Sequence, residues 1–518
     1  MKVLSSSPLK KAHWPWPKIN IEEVSLRALD NDLIVPNIGF INISDTQSWV
    51  ADTTGASNSK KLWLNSLLSS HACLEYGGNE KGVLAQGYKL LSSYFSQFDS
   101  NRELFDVAWT DEHAVSNRLF VICAFILRSM EADASHISQI ELLYQAERHA
   151  NWLSNEENYV ENNHGVMMDL SLAQFGVLIR DVDPELSNRY TTLAIVRLKR
   201  MLTDTFDNDG CCTENSPAYH FVNYSLFKSI TGFLKEYCGE SSLLEWEETL
   251  NKAQSVGEIL LKKDGKVPLI GDSEAKLGTF FSARESNDCK LGYYPEAGLL
   301  VHSDKHLYFT LRAGGKKFTH RHIDDLSITV WYRGLDFIVD SGLYNYDSGD
   351  KLRRAFISSY SHSGFYLESQ GHVLYKNFTS PSDMSRFVKF DRRADNDFSA
   401  TASHSLSKEA DVFRTLHLQN RNIFIRDNFE SDTIQAWRFQ LVLHPLVEVE
   451  LDLENYSITL KRGDVVLNIT YAVLDSESEA LIESGHYSEK FMESQKTRVL
   501  VIKGSSKKVN LSVDICAP

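Results

Sequence analysis

The residues best equipped for chemistry in this 518-residue chain fall in four short stretches. Glu161, Asn162, Asn163, His164 and Gly165 open a segment of helical period. Asparagine is neutral and donates two hydrogen bonds, so it can hold a carboxylate without a counter-charge; Asn162 serves equally well as a helix N-cap. Glu214, Ser216, Pro217, Tyr219 and His220 open another such segment. Pro217 suits a first helical turn, and Tyr219 is either a proton donor and acceptor or a packed ring with its hydroxyl satisfied. Asp272 and Glu274 follow Gly271 in a loop read as structural or indirect in role. The richest stretch runs from His320 to Tyr346, with a sequel at residues 353–364. His320 and His322 alternate at the entry to a strand and are expected on one face of its pleat. His322, Asp340 and His362 are nitrogen and oxygen ligands of kinds that suit zinc, and three protein ligands leave a position for water. A bare His-x-His is also a common satisfied surface pair.

These residues need a scaffold, and the sequence changes period once, near residue 290. Before it, apolar residues recur every three or four positions over 61–76, 83–98, 114–130, 137–154, 164–180, 185–206 and 219–237. Short polar connections between such segments predict an array of antiparallel helical hairpins. After the polar stretch 283–298, short alternating segments take over, such as 326–332 with Leu326, Ile328 and Val330 set against Ser327 and Thr329. That alternation predicts a half-buried strand. Arg462, Gly463 and Asp464 lie between two strand patterns and predict a hairpin turn. Many strands without intervening helices predict an antiparallel sandwich. The expected organisation is two domains, 1–290 helical and 291–518 sheet.

Composition narrows the function classes. Hydrophobic residues at 42% and charged residues at 24% are globular values. A net charge of -15 argues against a dedicated nucleic-acid binder, which needs a basic face. An anionic substrate therefore requires a local basic patch, for which Lys316, Lys317, Arg321, Arg353 and Arg354 are the candidates; a solvated face is the other reading. Seven scattered cysteines form no disulfide framework and are expected to be mostly free thiols, with Cys211 and Cys212 packed side by side. Residues 1–17 hold no continuous apolar run, so no signal peptide is visible. No segment has the length of a membrane span. A bacterial cytoplasm is thereby favoured over the periplasm, and the oligomeric state is not legible.

Asn162 to Gly165, Glu214 to His220, Gly271 to Ser273, the His-x-His-x-Asp entry, residues 337–346 and Ser359 to Gly364 occur in an order that resembles the heparinase II/III-like polysaccharide lyases, over roughly residues 60–440. The resemblance implies an α+β multidomain fold: an N-terminal incomplete α/α toroid of helical hairpins followed by a C-terminal antiparallel β-sandwich. It implies β-elimination on a uronic-acid-containing polysaccharide or oligosaccharide such as a glycosaminoglycan, alginate or bacterial exopolysaccharide. The implied catalytic residues are Asn163, His164, Tyr219 and His320, and the implied metal ligands, usually of zinc, are His322, Asp340 and His362. Glu214, Arg321, Arg353 and Arg354 complete the expected site as substrate-binding residues. The family often has Asn-Thr after the late histidine, where this chain has Ser363-Gly364. Two other classes stay open: a glycoside hydrolase on an α/α barrel, needing two carboxylic acids among Glu214, Asp272 and Glu274, and a non-catalytic polysaccharide-binding protein.

Overall fold

The computed structural model of the chain describes residues 4–516 apart from 5, 12–13, 37, 44–57, 78–80, 101–107, 132–133, 135–136, 240–242, 276–288 and 369–377. Residues 283–288 of the polar stretch that precedes the change of period lie outside the described residues. Packing groups the chain into two compact units, residues 1–203 with 228–246, and 204–227 with 247–518.

The first unit is helical apart from one antiparallel pair of strands, Asp32–Val35 with Gly39–Asn42. Each amphipathic stretch of the sequence forms a helix, and the caps show why each starts where it does. Asp111 caps Glu112–Ser129 by accepting from the Ala114 N–H, and Ser138 caps Gln139–Ser154 through the Glu141 N–H. The segment 61–76 departs from expectation: Leu67 adopts a left-handed φ of 57° and divides it into Asn58–Asn65 and Leu68–Tyr76. Glu112–Ser129 and Asn163–Leu178 are buried nearly all round. These two helices contact each other and so serve as interior walls for their amphipathic neighbours. No helix among the described residues is long and apolar enough to cross a membrane.

Strand structure of the second unit begins at Lys290. Five strands, from Lys290–Tyr294 to Leu335–Ile338, form an antiparallel meander in sequence order. A ten-stranded antiparallel sheet follows, organised by the long strands Asn422–Val442 and Gln495–Cys516, which pair with each other. Phe309, Ile328 and Val330 of the first sheet share one core with Leu416, Ile425 and Trp437 of the second, which makes the pair a sandwich. The hairpin read at Gly463 is present, with φ 59° at the glycine. The strand expected to be half-buried, Ile328–Tyr332, is instead buried at every residue. Its other face carries Trp331, which packs against Val256 and Leu260 of the helix Leu244–Leu260. All seven cysteines are free.

Candidate active site

Tyr219 and His320 meet in the second unit through four local devices. Ser216, before the helix Pro217–Cys238, accepts from the Tyr219 N–H at 3.3 Å and fixes the start of that helix. Asn215, at φ 59°, sends its amide to the carbonyls of Lys317 at 2.6 Å and Thr319 at 2.9 Å, tying the approach to His320 onto the base of the helix. Gly271 has φ 55°, and a β-carbon there would sit 2.5 Å from the carbonyl oxygens of both Asn215 and His320, so only glycine lets the three segments close. His320 itself has φ 58°, an uncommon conformation held by its neighbours. The imidazole consequently stacks on the Tyr219 ring, centroids 3.5 Å apart and planes 18° from parallel.

This corrects the expected pleat. His320 and His322 lie in a turn and loop before the strand begins at Ile328. They converge because both bond one carboxylate. Asp272 Oδ2 lies 3.3 Å from His320 Nδ1, and its Oδ1 lies 2.9 Å from His322 Nε2 and 2.6 Å from Arg353. Burial works to raise the Asp272 carboxyl, but hydrogen bonds from His320 and His322 and the charge of Arg353 outweigh it and hold the group well below the usual carboxylate range. An ionised Asp272 only accepts hydrogen bonds, so His320 carries its proton on Nδ1 and His322 on Nε2. The lone pairs then fall on His320 Nε2 and His322 Nδ1. Burial pushes the Tyr219 hydroxyl up to about 12 against the opposing hydrogen bond from Tyr346, whose hydroxyl is 2.8 Å away. Tyr219 is therefore a protonated donor at neutral pH.

His322, Asp340 and His362 are fully buried, and their ligand atoms lie within 4.8 Å of one another. His322 Nδ1, the lone-pair nitrogen, and His362 Nε2 are buried with no hydrogen-bond partner among the described residues. A histidine aimed by a carboxylate, with its other nitrogen unsatisfied beside a second histidine and an aspartate, fits a metal-binding role. The cluster could hold a metal ion. Ser363 departs from the Asn-Thr of the resembling family, yet it fastens His362 in place: its N–H donates to Ser327 Oγ at 3.1 Å, and its Oγ accepts from Val442 N–H at 2.9 Å and lies 3.4 Å from the carbonyl of Val339, next to Asp340.

The other expected residues are distributed unevenly. Glu214 is buried, accepts from Asn223 at 3.1 Å and stands 3.8 Å from His320 Nε2. Arg353 is engaged by Asp272. Arg354 is exposed. Arg321 turns into the interior, bonded to Asp325 and the Gly314 carbonyl. Asn163 and His164 belong to the other unit, at the start of the helix Asn163–Leu178. There Asn162 is the N-cap, accepting from the His164 N–H at 2.7 Å. Gly165 is required because a β-carbon would lie 2.0 Å from the Val160 carbonyl. His164 Nδ1 bonds Glu112 at 2.7 Å and its ring lies against His113, centroids 4.7 Å apart. Burial, then the neighbouring His164, lowers His113 to about 4. Sequence reading missed Glu112, His113, Asn215 and Tyr346. For Asn215 the available signal was its place inside the Glu214 to His220 motif.

The chain thus combines a helical unit, an antiparallel sandwich and a Tyr-His pair beside a buried His-Asp-His cluster. Residues 290–515 match the family described as heparinase II/III-like, C-terminal. A mutant of heparan sulfate lyase HepC from Pedobacter heparinus superposes with a TM-score of 0.74 at 16% identity, covering 98% of this chain and 84% of that one. Heparinase III gives 0.73 at 14%, covering 96% and 84%. A Paenibacillus xanthan lyase gives 0.55 at 8%, covering 96% and 56%. No curated protein sequence matches the chain. The fold is an incomplete α/α toroid followed by an antiparallel β-sandwich, shared with these solved structures, and the sandwich residues 290–515 match the heparinase II/III-like C-terminal family.

Proposed function

We propose that the chain is a polysaccharide lyase that cleaves a uronic-acid-containing polysaccharide or oligosaccharide by β-elimination. The observation that carries this reading is the stacked Tyr219–His320 pair, a protonated phenol beside an imidazole whose tautomer Asp272 fixes. Elimination removes the C5 proton and expels the C4 oxygen. His320 Nε2 takes the proton, and the Tyr219 hydroxyl donates to the departing oxygen. Asn163 and His164 are the carboxylate partners: their hydrogen bonds stabilise charge that moves onto the carboxyl oxygens as C5 is deprotonated. Glu112 aligns His164 for that task. In this division of labour residues 1–290 supply Asn163, His164 and Tyr219, and residues 291–518 supply His320 and the metal ligands.

A hydrolase would need two free carboxylic acids flanking the bond. Asp272 is taken by two histidines and an arginine, and Glu274 accepts from the Phe491 N–H at 2.7 Å, which leaves Glu214 alone. Incubation with alginate, heparan sulfate, chondroitin sulfate and glucuronan is expected to produce rising ultraviolet absorbance from C4–C5 double bonds on at least one polymer. Reducing ends without that absorbance would replace the lyase with a hydrolase.

The metal we assign to His322, Asp340 and His362 is zinc, which when bound would brace the loops carrying His320 and Asp340. Elemental analysis of the purified chain is expected to find one zinc per molecule. Chelation is expected to lower the unfolding free energy by about 4 kcal/mol where metal had stood a thousandfold above its Kd. A metal-free protein whose melting temperature ignores both zinc and chelator would remove this assignment.

A further inference from the structure

The core of the sandwich holds a fully buried ion pair that the proposed chemistry does not use. On the strand Val412–Gln419 the inward positions carry Val412, Arg414, Leu416 and Leu418, which face Phe429, Asp427, Ile425 and Ile423 of the strand Asn422–Val442. Arg414 and Asp427 therefore stand directly opposite each other where the alternation calls for apolar side chains. Arg414 Nε donates to Asp427 Oδ1 and Nη2 to Oδ2, both at 2.7 Å, in a bidentate fork. Neither side chain is exposed.

Stability alone does not account for this pair. Desolvating two charges costs about as much as their attraction returns, and an apolar pair of similar volume holds a core equally well or better. What an apolar pair could not supply is the remaining nitrogen of the guanidinium. Nη1 donates to two backbone carbonyls, that of Leu326 at 2.5 Å and that of Ser363 at 3.2 Å. These carbonyls belong to two loops of the His-Asp-His cluster. Leu326 lies four residues after His322, at a left-handed φ of 59° that is uncommon for a bulky side chain. Ser363 directly follows His362. The loops also bond each other: the Ile328 N–H donates to the Ser363 carbonyl at 3.1 Å, and the Ser363 N–H to Ser327 Oγ at 3.1 Å. Ser327 Oγ in turn lies 3.4 Å from Asp340 Oδ2. Arg414 fastens both loops to the large sheet, and Asp427 orients the fork that does so.

We propose that Arg414 and Asp427 are positioning residues for the candidate site: the guanidinium clamps the loop carrying His320 and His322 to the loop carrying His362, and so sets the spacing of the ligand nitrogens. The clamp acts through backbone carbonyls rather than through a ligand atom. Its link to metal rests on the reading of His322, Asp340 and His362 as a zinc site.

The test uses the full chain with Arg414→Met and Asp427→Leu together, which keeps the core filled and leaves neither charge unpaired. Its urea midpoint is expected to equal or exceed that of wild type. Zinc affinity, measured by competition with a colorimetric chelator, is expected to weaken about 10- to 100-fold, the usual effect of removing a support behind metal ligands. Hydrogen exchange at the amides of Leu326, Ile328 and Ser363 is expected to accelerate, while the strand Gln495–Cys516 stays protected. Arg414→Lys answers the same question should the double variant not fold. Lysine keeps a counter-charge for Asp427 but lacks the planar fork that reaches the carboxylate and both carbonyls together, so the same losses are expected. A stable variant that binds zinc as tightly as wild type overturns the proposal and leaves the pair a filler of the core. Wild-type protein that takes up no zinc removes the metal assignment alone. Faster exchange at the three amides in the variants then upholds the clamp, and unchanged exchange overturns it.

Discussion

Tyr219→Phe is expected to reduce turnover by about a thousandfold, within the range a positioned general acid supplies, while a uronate tetrasaccharide still binds. The substitution isolates the hydroxyl. Phenylalanine retains the ring that stacks on His320 at 3.5 Å, so the imidazole keeps its wall. What disappears is the proton for the departing oxygen and the 2.8 Å bond to Tyr346. Because burial holds the Tyr219 hydroxyl near 12, wild-type activity should persist through neutral pH and fade only as the phenol ionises on the alkaline side. In the variant, residual activity should lack that alkaline limb. Initial rates of ultraviolet absorbance across pH measure both. A variant that retains more than about a tenth of wild-type turnover would transfer the acid role elsewhere, with Tyr346 the nearest hydroxyl.

How much of this was legible in the sequence depends on how local each signal is. Helices and strands announce themselves within a dozen residues, and the change of period near residue 290 coincides with the first strand of the sandwich at Lys290. The half-buried reading of residues 326–332 failed because the alternation reports only one packed face, and the helix that covers the other lies about 70 residues earlier. The His-x-His motif was visible, but its geometry was read as a pleat. A left-handed residue at His320 makes it a turn, and Arg321 is drawn inward by Asp325. The role of Asp272 was beyond sequence reading for a different reason. Its partners lie 48 and 50 residues away, and nothing in the local pattern around Asp272 points to them.

That carboxylate joins the proposed chemistry to the metal cluster, and Asp272→Asn is expected to damage both. Asparagine offers one oxygen where aspartate offers two, and its NH2 can only donate. The N–H of His320 and the N–H of His322 would compete for a single acceptor, and the loser would face another donor. His320 would then be free to present its protonated nitrogen to the substrate, a tautomer fault that costs about 10⁴-fold in turnover where a histidine acts as base. His322 would lose the bond that keeps its lone pair on Nδ1, so zinc content should fall together with activity. Arg353, half-buried, would lose the carboxylate charge it faces at 2.6 Å, and stability should fall by about 1–3 kcal/mol. The three readouts separate the roles. Lost activity with full zinc content would confine Asp272 to aligning His320. Lost stability with turnover within tenfold of wild type would make it a structural anchor and return the choice of base to an open question. Joint loss of turnover and metal is the result that the shared carboxylate requires.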